Sequence, residues 1–223
     1  MRFIIVPGWR DSGPGHWQSL WAERLSGAVR VQQDDWITPS RKAWVASIAR
    51  TIVLQNEPVI VVAHSLGCIA TTHLPAEAVA RIQGALLVAP ADPERRAVLS
   101  DFAPVPYQKL PYRSVLVASS NDPFCPVRLA GAYARAWGSE FVRMQDAGHI
   151  NVESGHGEWP LGIALLQSLA QAVGAQPDLS STFLNLWKQH DFKTQNRTGQ
   201  PGVGDWRFNH RCGFRTNTAE RLV

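Results

Sequence analysis

The chain predicts an α/β fold, a roughly six-stranded and mostly parallel sheet with helices on both faces. Three observations predict it. Four short runs are apolar almost throughout, helical periods lie between them, and the polar residues able to do chemistry gather just past the apolar runs. Strands that lack polar alternation fit a sheet covered on both faces, and strand-helix alternation is the pattern of a parallel sheet.

FIIV at 3 to 6 is the first strand. Trp17, Leu20, Trp21 and Leu25 then recur at helical spacing. A weaker strand is expected at 29 to 33. Trp44, Ile48 and Ile52 mark the next helix, behind a Thr38 cap with Pro39 in the first turn. VIVVA at 59 to 63 runs into HSLG and a further short helix. ALLVA at 85 to 89 and VLVA at 115 to 118 are the next strands. Val127, Ala130, Ala134 and Trp137 follow Pro126 as a helix, a weak strand is expected at 140 to 143, and Leu161, Leu165, Leu169 and Val173 follow Pro160 as the last helix. Pro90 to Pro111 carries five prolines and the charged PERR, a long connection or a short lid over the site.

The 223 residues, 45% of them hydrophobic, suffice for one domain with a sizeable core, expected at 1 to 174. Residues 175 to 223 have no clear period beyond one candidate amphipathic helix at 181 to 189, and a poorly ordered tail is expected there. The net charge of +4 divides unevenly: 15 Lys+Arg face 14 Asp+Glu in residues 1 to 177, and 7 face 4 beyond. The nearly neutral body lacks the clustered basic surface of a nucleic-acid binder. Cys68, Cys125 and Cys212 form no C-x-x-C pair, which argues against a disulfide framework or a cysteine zinc site. The run before Pro7 is too short for a signal-peptide core and no apolar stretch approaches a membrane span, so a cytoplasmic protein is expected.

In parallel sheets the loops at the carboxyl ends of the strands face a crevice. AHSLG at 63 to 67 departs from the G-x-S-x-G elbow by one residue, with Ala63 in the first glycine position. Ser65 is therefore a candidate nucleophile, although a serine there also serves as a helix cap. The alpha/beta-hydrolase arrangement runs serine, acid, histidine along the chain, and Ser65, Asp122 and His149 follow that order, each past a predicted strand. Asp92, also before a proline, is the rival acid; His156 is the rival base. His64 neighbours Ser65 but points elsewhere along a turn, and is a pocket candidate. Oxyanion donors are expected from the N–H groups of Leu66 and Trp9. No histidine pair has metal-ligand spacing with a matching carboxylate, so neither a metal nor a cofactor is expected.

VPGWRDSGPGHWQSLW at 6 to 21, QDDW at 33 to 36, VAHSLGCIA at 62 to 70, SSNDPFCP at 119 to 126 and AGHINVESGHGEWPLG at 147 to 162 together resemble the small serine hydrolases of the retinoblastoma-binding-protein-nine type, within the alpha/beta-hydrolase superfamily. The resemblance spans residues 2 to 173. It implies Ser65 as nucleophile, Asp122 as acid and His149 as base, on a six-stranded parallel sheet without a large cap domain. Trp9, Trp17, Trp36 and Trp159 fall in its motifs; Trp17 and Trp159 are pocket candidates, with a core role as the alternative for at least half of the four. The expected substrate is a small acyl ester, amide or thioester. A protein partner on a hydrolase scaffold, as the family's name suggests, and acyl transfer by the same residues are the alternatives; no nucleic-acid or membrane partner is expected.

Overall fold

The computed structural model describes residues 1–175. Strands β1 (Arg2–Val6), β2 (Ala28–Arg30), β3 (Val59–His64), β4 (Ile82–Val88), β5 (Arg113–Ser119) and β6 (Glu140–Met144) form one sheet in the order β2-β1-β3-β4-β5-β6. Every neighbouring pair is parallel. Helices α1 (Trp17–Arg24), α2 (Arg41–Val53), α3 (Leu66–Thr72), α4 (Ala76–Val79), α5 (Val127–Trp137) and α6 (Pro160–Ala172) connect or flank the strands. This is the alpha/beta-hydrolase fold with an open sheet. The extension expected from 175, with its candidate helix and Cys212, lies from 176 onward outside the described residues.

The apolar runs are strands because both faces need covering, and β3 is buried at all six positions. On one face Trp44, Ile48 and Ile52 of α2 pack with Ile69 of α3 and with Tyr133 and Trp137 of α5. On the other, Trp17 and Trp21 of α1 pack with Ile163, Leu166 and Leu169 of α6. Each such side chain removed from water contributes about 1.5–3 kcal/mol before the cost of ordering the chain.

Two boundaries differ from expectation. The second helix starts at Arg41, not behind a Thr38 cap, because Asp35 Oδ1 accepts the N–H groups of Ile37 and Thr38 at 2.7 and 2.9 Å and closes residues 35–38 into a turn. Asp101, remote in sequence, then accepts the Arg41 N–H at 2.6 Å. The strand expected at 29 to 33 is Ala28–Arg30, since the chain leaves the sheet after Val31 donates to the Ile5 carbonyl at 2.9 Å.

The topology places the site. β1 leads into α1 on one face and β3 into α3 on the other, so the carboxyl ends of these adjacent strands open a crevice between them. Val6 pairs with Ala63, which sets the loop after β1 beside the turn after β3.

Candidate active site

At the end of β3 the chain turns sharply at Ser65, with φ 54° and ψ −121°. A non-glycine residue there is strained, and the strain persists only where the surroundings enforce it. The Ser65 N–H donates to the Val88 carbonyl at 3.0 Å, and the Ser65 carbonyl accepts from Cys68 and Ala91 at 3.0 and 3.3 Å. Sterics do the rest. A Cβ on Gly67 would fall 2.6 Å from the carbonyl oxygens of both Val6 and Pro7, and one on Gly8 would fall 2.7 Å from Ser65 Cβ. The two glycines let the β1 loop and the elbow touch. The Ser65 hydroxyl does not cap α3.

That hydroxyl meets His149. Nε2 of His149 lies 2.9 Å from Ser65 Oγ, and Nδ1 lies 2.9 and 3.0 Å from the Asp122 carboxylate oxygens. A carboxylate can only accept, so Nδ1 carries the proton and Nε2 is left to accept from the hydroxyl. Asp122 Oδ1 also accepts the Phe124 N–H at 2.8 Å, which fixes the carboxylate in its turn. Ser65, Asp122 and His149 are each 8% exposed, enough for contact with a ligand and little enough to strengthen charge interactions. Trp9 and Leu66 flank Ser65 from the β1 loop and the first turn of α3. Among the described residues neither N–H has a backbone acceptor, so both are free to donate outward.

The loop holding His149 is fastened by side-chain bonds. Ser119 Oγ, fully buried at the end of β5, accepts the Ala147 N–H at 2.9 Å and donates to Asn121 Oδ1 at 2.8 Å. Asn121 Oδ1 in turn accepts the Gly148 N–H at 2.7 Å. Trp17 Nε1 donates to the Ile150 carbonyl at 2.9 Å, and His64 Nε2 donates to the His149 carbonyl at 2.9 Å. Burial holds the His64 imidazole neutral, its pKa well below the usual histidine value. His16, whose ring lies 4.8 Å from that of His64, is pushed down to about 4 by burial first and then by His149 and Arg30.

The pocket candidates lie elsewhere than expected. Trp17 is fully buried and Trp159 nearly so; the Trp159 ring packs on Trp17 and Trp21 at centroid distances of 4.9 and 5.8 Å, while His64 closes the site from behind. Large rings beneath the loop are core that supports it. Trp36, likewise, packs edge-on against Trp44. A cavity of about 390 Å³, lined by Ala91, Asp92, Arg95, Arg96, Leu99, Pro123 and Phe124, adjoins the site through the Phe124 ring, which packs on His149. Pro90 to Pro111 thus supplies much of the cavity wall, through two 3-10 turns at Pro93–Arg95 and Ala97–Phe102.

Neither rival side chain is hydrogen-bonded to Ser65 or His149 among the described residues. Asp92 caps the first of those turns, accepting the Glu94 N–H at 3.1 Å, and His156 Nδ1 meets Ser154 Oγ at 3.3 Å. Phe124, whose ring centroid is 4.4 Å from that of His149, was not singled out by the sequence. Nor was Gln18, fully buried on α1, which donates to the carbonyls of Val6 and Val62 at 3.0 Å each and ties together the ends of β1 and β3. A glutamine between two buried tryptophan positions was the available signal.

Cys68 and Cys125 are both free and buried; burial raises both thiols, that of Cys125 up to about 12, so neither is a nucleophile at neutral pH. Among the described residues no group of three His, Cys, Asp or Glu side chains is placed to hold a metal, and no helix is long and apolar enough to cross a membrane.

A family model described as serine hydrolase matches residues 3–168. Among solved structures the chain is similar to a YdeN-like hydrolase from Pectobacterium atrosepticum, with 35% identity over 77% of this chain and 91% of that one and a TM-score of 0.71. It is also similar to the ydeN gene product of B. subtilis, with 22% identity over 75% and 97% of the two chains and a TM-score of 0.65. Esterase 2 of Thermogutta terrifontis, in a phosphonylated state, shares the fold at 13% identity over 77% and 81% of the chains, with a TM-score of 0.56. Comparison with curated proteins finds no match.

Proposed function

The chain belongs to the serine hydrolase family, and from that membership we propose that it cleaves small carboxylic esters, amides or thioesters through an acyl-enzyme on Ser65. His149 takes the Ser65 proton as the oxygen attacks the acyl carbonyl carbon, and Asp122 holds the imidazole in its tautomer and stabilises the imidazolium. The N–H groups of Trp9 and Leu66 receive the oxyanion. As the tetrahedral intermediate collapses, the bond to the leaving group breaks and that group takes the proton from His149. Water, deprotonated by His149, then attacks the acyl carbonyl carbon; the bond to Ser65 Oγ breaks, Ser65 takes the proton back from His149, and the acid is released. The five motifs shared with hydrolases of the retinoblastoma-binding-protein-nine type favour that subgroup within the family.

The contact of His149 Nε2 with Ser65 Oγ at 2.9 Å, completed by Asp122 behind it, supports this assignment above all. A fluorophosphonate probe tests it. Stoichiometric labelling of the wild type, lost in Ser65→Ala together with at least about a thousandfold in p-nitrophenyl ester turnover, is the expected result. Folded wild-type protein that resists the probe would overturn it.

A further inference from the structure

On the premise that Ser65 is the nucleophile, we propose that Arg96 is a specificity-determining residue that selects substrates carrying a carboxylate remote from the scissile carbonyl. The guanidinium carbon of Arg96 lies 4.8 Å from the centroid of the Phe124 ring and 5.6 Å from that of Trp9. Both rings belong to the site: Phe124 is against His149, and Trp9 carries one of the proposed oxyanion donors. A guanidinium held against aromatic faces keeps its in-plane N–H groups for a bidentate acceptor. Among the described residues no carboxylate pairs with Arg96 and no hydrogen bond occupies its guanidinium, so its charge is unspent at the cavity wall.

The surroundings reinforce that charge. Arg95, also on the wall, donates from Nη1 to the Pro123 carbonyl at 2.9 Å and keeps its cation at the rim. Arg10 covers the Trp9 ring at 4.4 Å, again with no carboxylate partner among the described residues. Against these three guanidiniums stand Asp92, whose Oδ1 already accepts the Glu94 N–H, and the exposed Glu94 itself. The rest of the wall, Ala91, Leu99, Pro123 and Phe124, is apolar and suits a hydrocarbon chain between the reacting carbonyl and a terminal carboxylate. A neutral substrate would leave the Arg96 cation with water alone.

Two matched ester pairs test this, one for each side of the scissile bond: p-nitrophenyl monoadipate against p-nitrophenyl hexanoate, and 4-(butanoyloxy)phenylacetate against p-cresyl butanoate. The expected result is a preference in kcat/KM of about tenfold or more for the acid in at least one pair, falling about tenfold in Arg96→Gln, partly restored in Arg96→Lys, and weakening as salt rises. Using the ratio within a pair removes any general damage from the substitution. Turnover without acid preference in either pair, a preference that survives Arg96→Gln, or fluorophosphonate labelling of Ser65 with no turnover of either acid would overturn the Arg96 assignment while leaving the nucleophile intact. Failure of both labelling and turnover would instead remove the premise, and the Arg96 assignment with it.

Discussion

The elbow at Ser65 and the loop at His149 face each other across one hydrogen bond, yet they are held in place by different physics. The elbow is shaped by exclusion: Gly67 and Gly8 stand where any side chain would strike backbone or Ser65 itself, and the strained φ of Ser65 follows from that crowding. The His149 loop is shaped by attachment, through Ser119, Asn121, Trp17 and His64, each bonded to a backbone group of residues 147–150. Steric shaping fails abruptly when violated, whereas a set of hydrogen bonds fails by degrees. The first joins two short segments, residues 6–8 and 65–67, and the second draws on side chains from Trp17 to Asn121.

The largest expected effect comes from violating the elbow. Gly67→Ala puts a methyl group 2.6 Å from two carbonyl oxygens that belong to β1 and its loop, neither of which can move without disturbing the sheet. A loss of about 3 kcal/mol or more is expected, with ester turnover and probe labelling falling together. Chemical denaturation and labelling measure the two. A variant as stable and reactive as the wild type would mean that the elbow is not fixed by exclusion.

A smaller, graded effect is expected at the loop. Ser119→Ala leaves the buried Ala147 N–H without its acceptor and Asn121 Oδ1 with one of its two donors, at a cost of about 1–3 kcal/mol. The fold and the elbow stay intact, so Ser65 still labels, but His149 is held less closely and kcat falls about tenfold to a hundredfold with little change in KM. A fall in KM and kcat alike, or none in either, would break the contrast between the two regions.

The same contrast explains what the sequence made legible. AHSLG was readable because steric shaping demands small residues at fixed offsets, and the four apolar runs were readable because burial on both faces leaves no polar positions. His149 and Asp122 were legible as candidates from their order past the predicted strands and from the motifs around them, but nothing within DAGHIN reveals that Ser119 and Asn121 hold its loop. Trp17 and Trp159, expected at the pocket, support the loop from behind, because a tryptophan's length says that it will be buried but not on which side of the histidine. Phe124 and Arg96 escaped notice for the opposite reason: they come from separate loops and acquire a role only by meeting over the cavity. The start of α2 was missed because its first N–H is capped by Asp101, 60 residues away.

The smallest effect concerns the support behind the loop and appears only as pH falls. His16 caps α1, its Nδ1 accepting the Gln18 N–H at 3.1 Å, and it sits edge-on to His64 at 4.8 Å. Burial, with the nearby His149 and Arg30, lowers its pKa from 6.5 to about 4. The unfolded chain therefore binds a proton at this residue near pH 6.5, while the folded chain resists doing so until about pH 4. Stability is fully present above pH 6.5 and is lost progressively as pH falls to about 4, by up to about 3 kcal/mol from this residue. In His16→Asn the side-chain oxygen can take over the cap and no group remains to titrate. Denaturant unfolding at pH 7 and pH 4 should then show the wild type losing more stability than the variant, since every other titrating group is common to both. Equal losses would mean that His16 is not kept neutral by its burial, and that the layer behind the His149 loop tolerates charge as readily as the exposed wall in front of it.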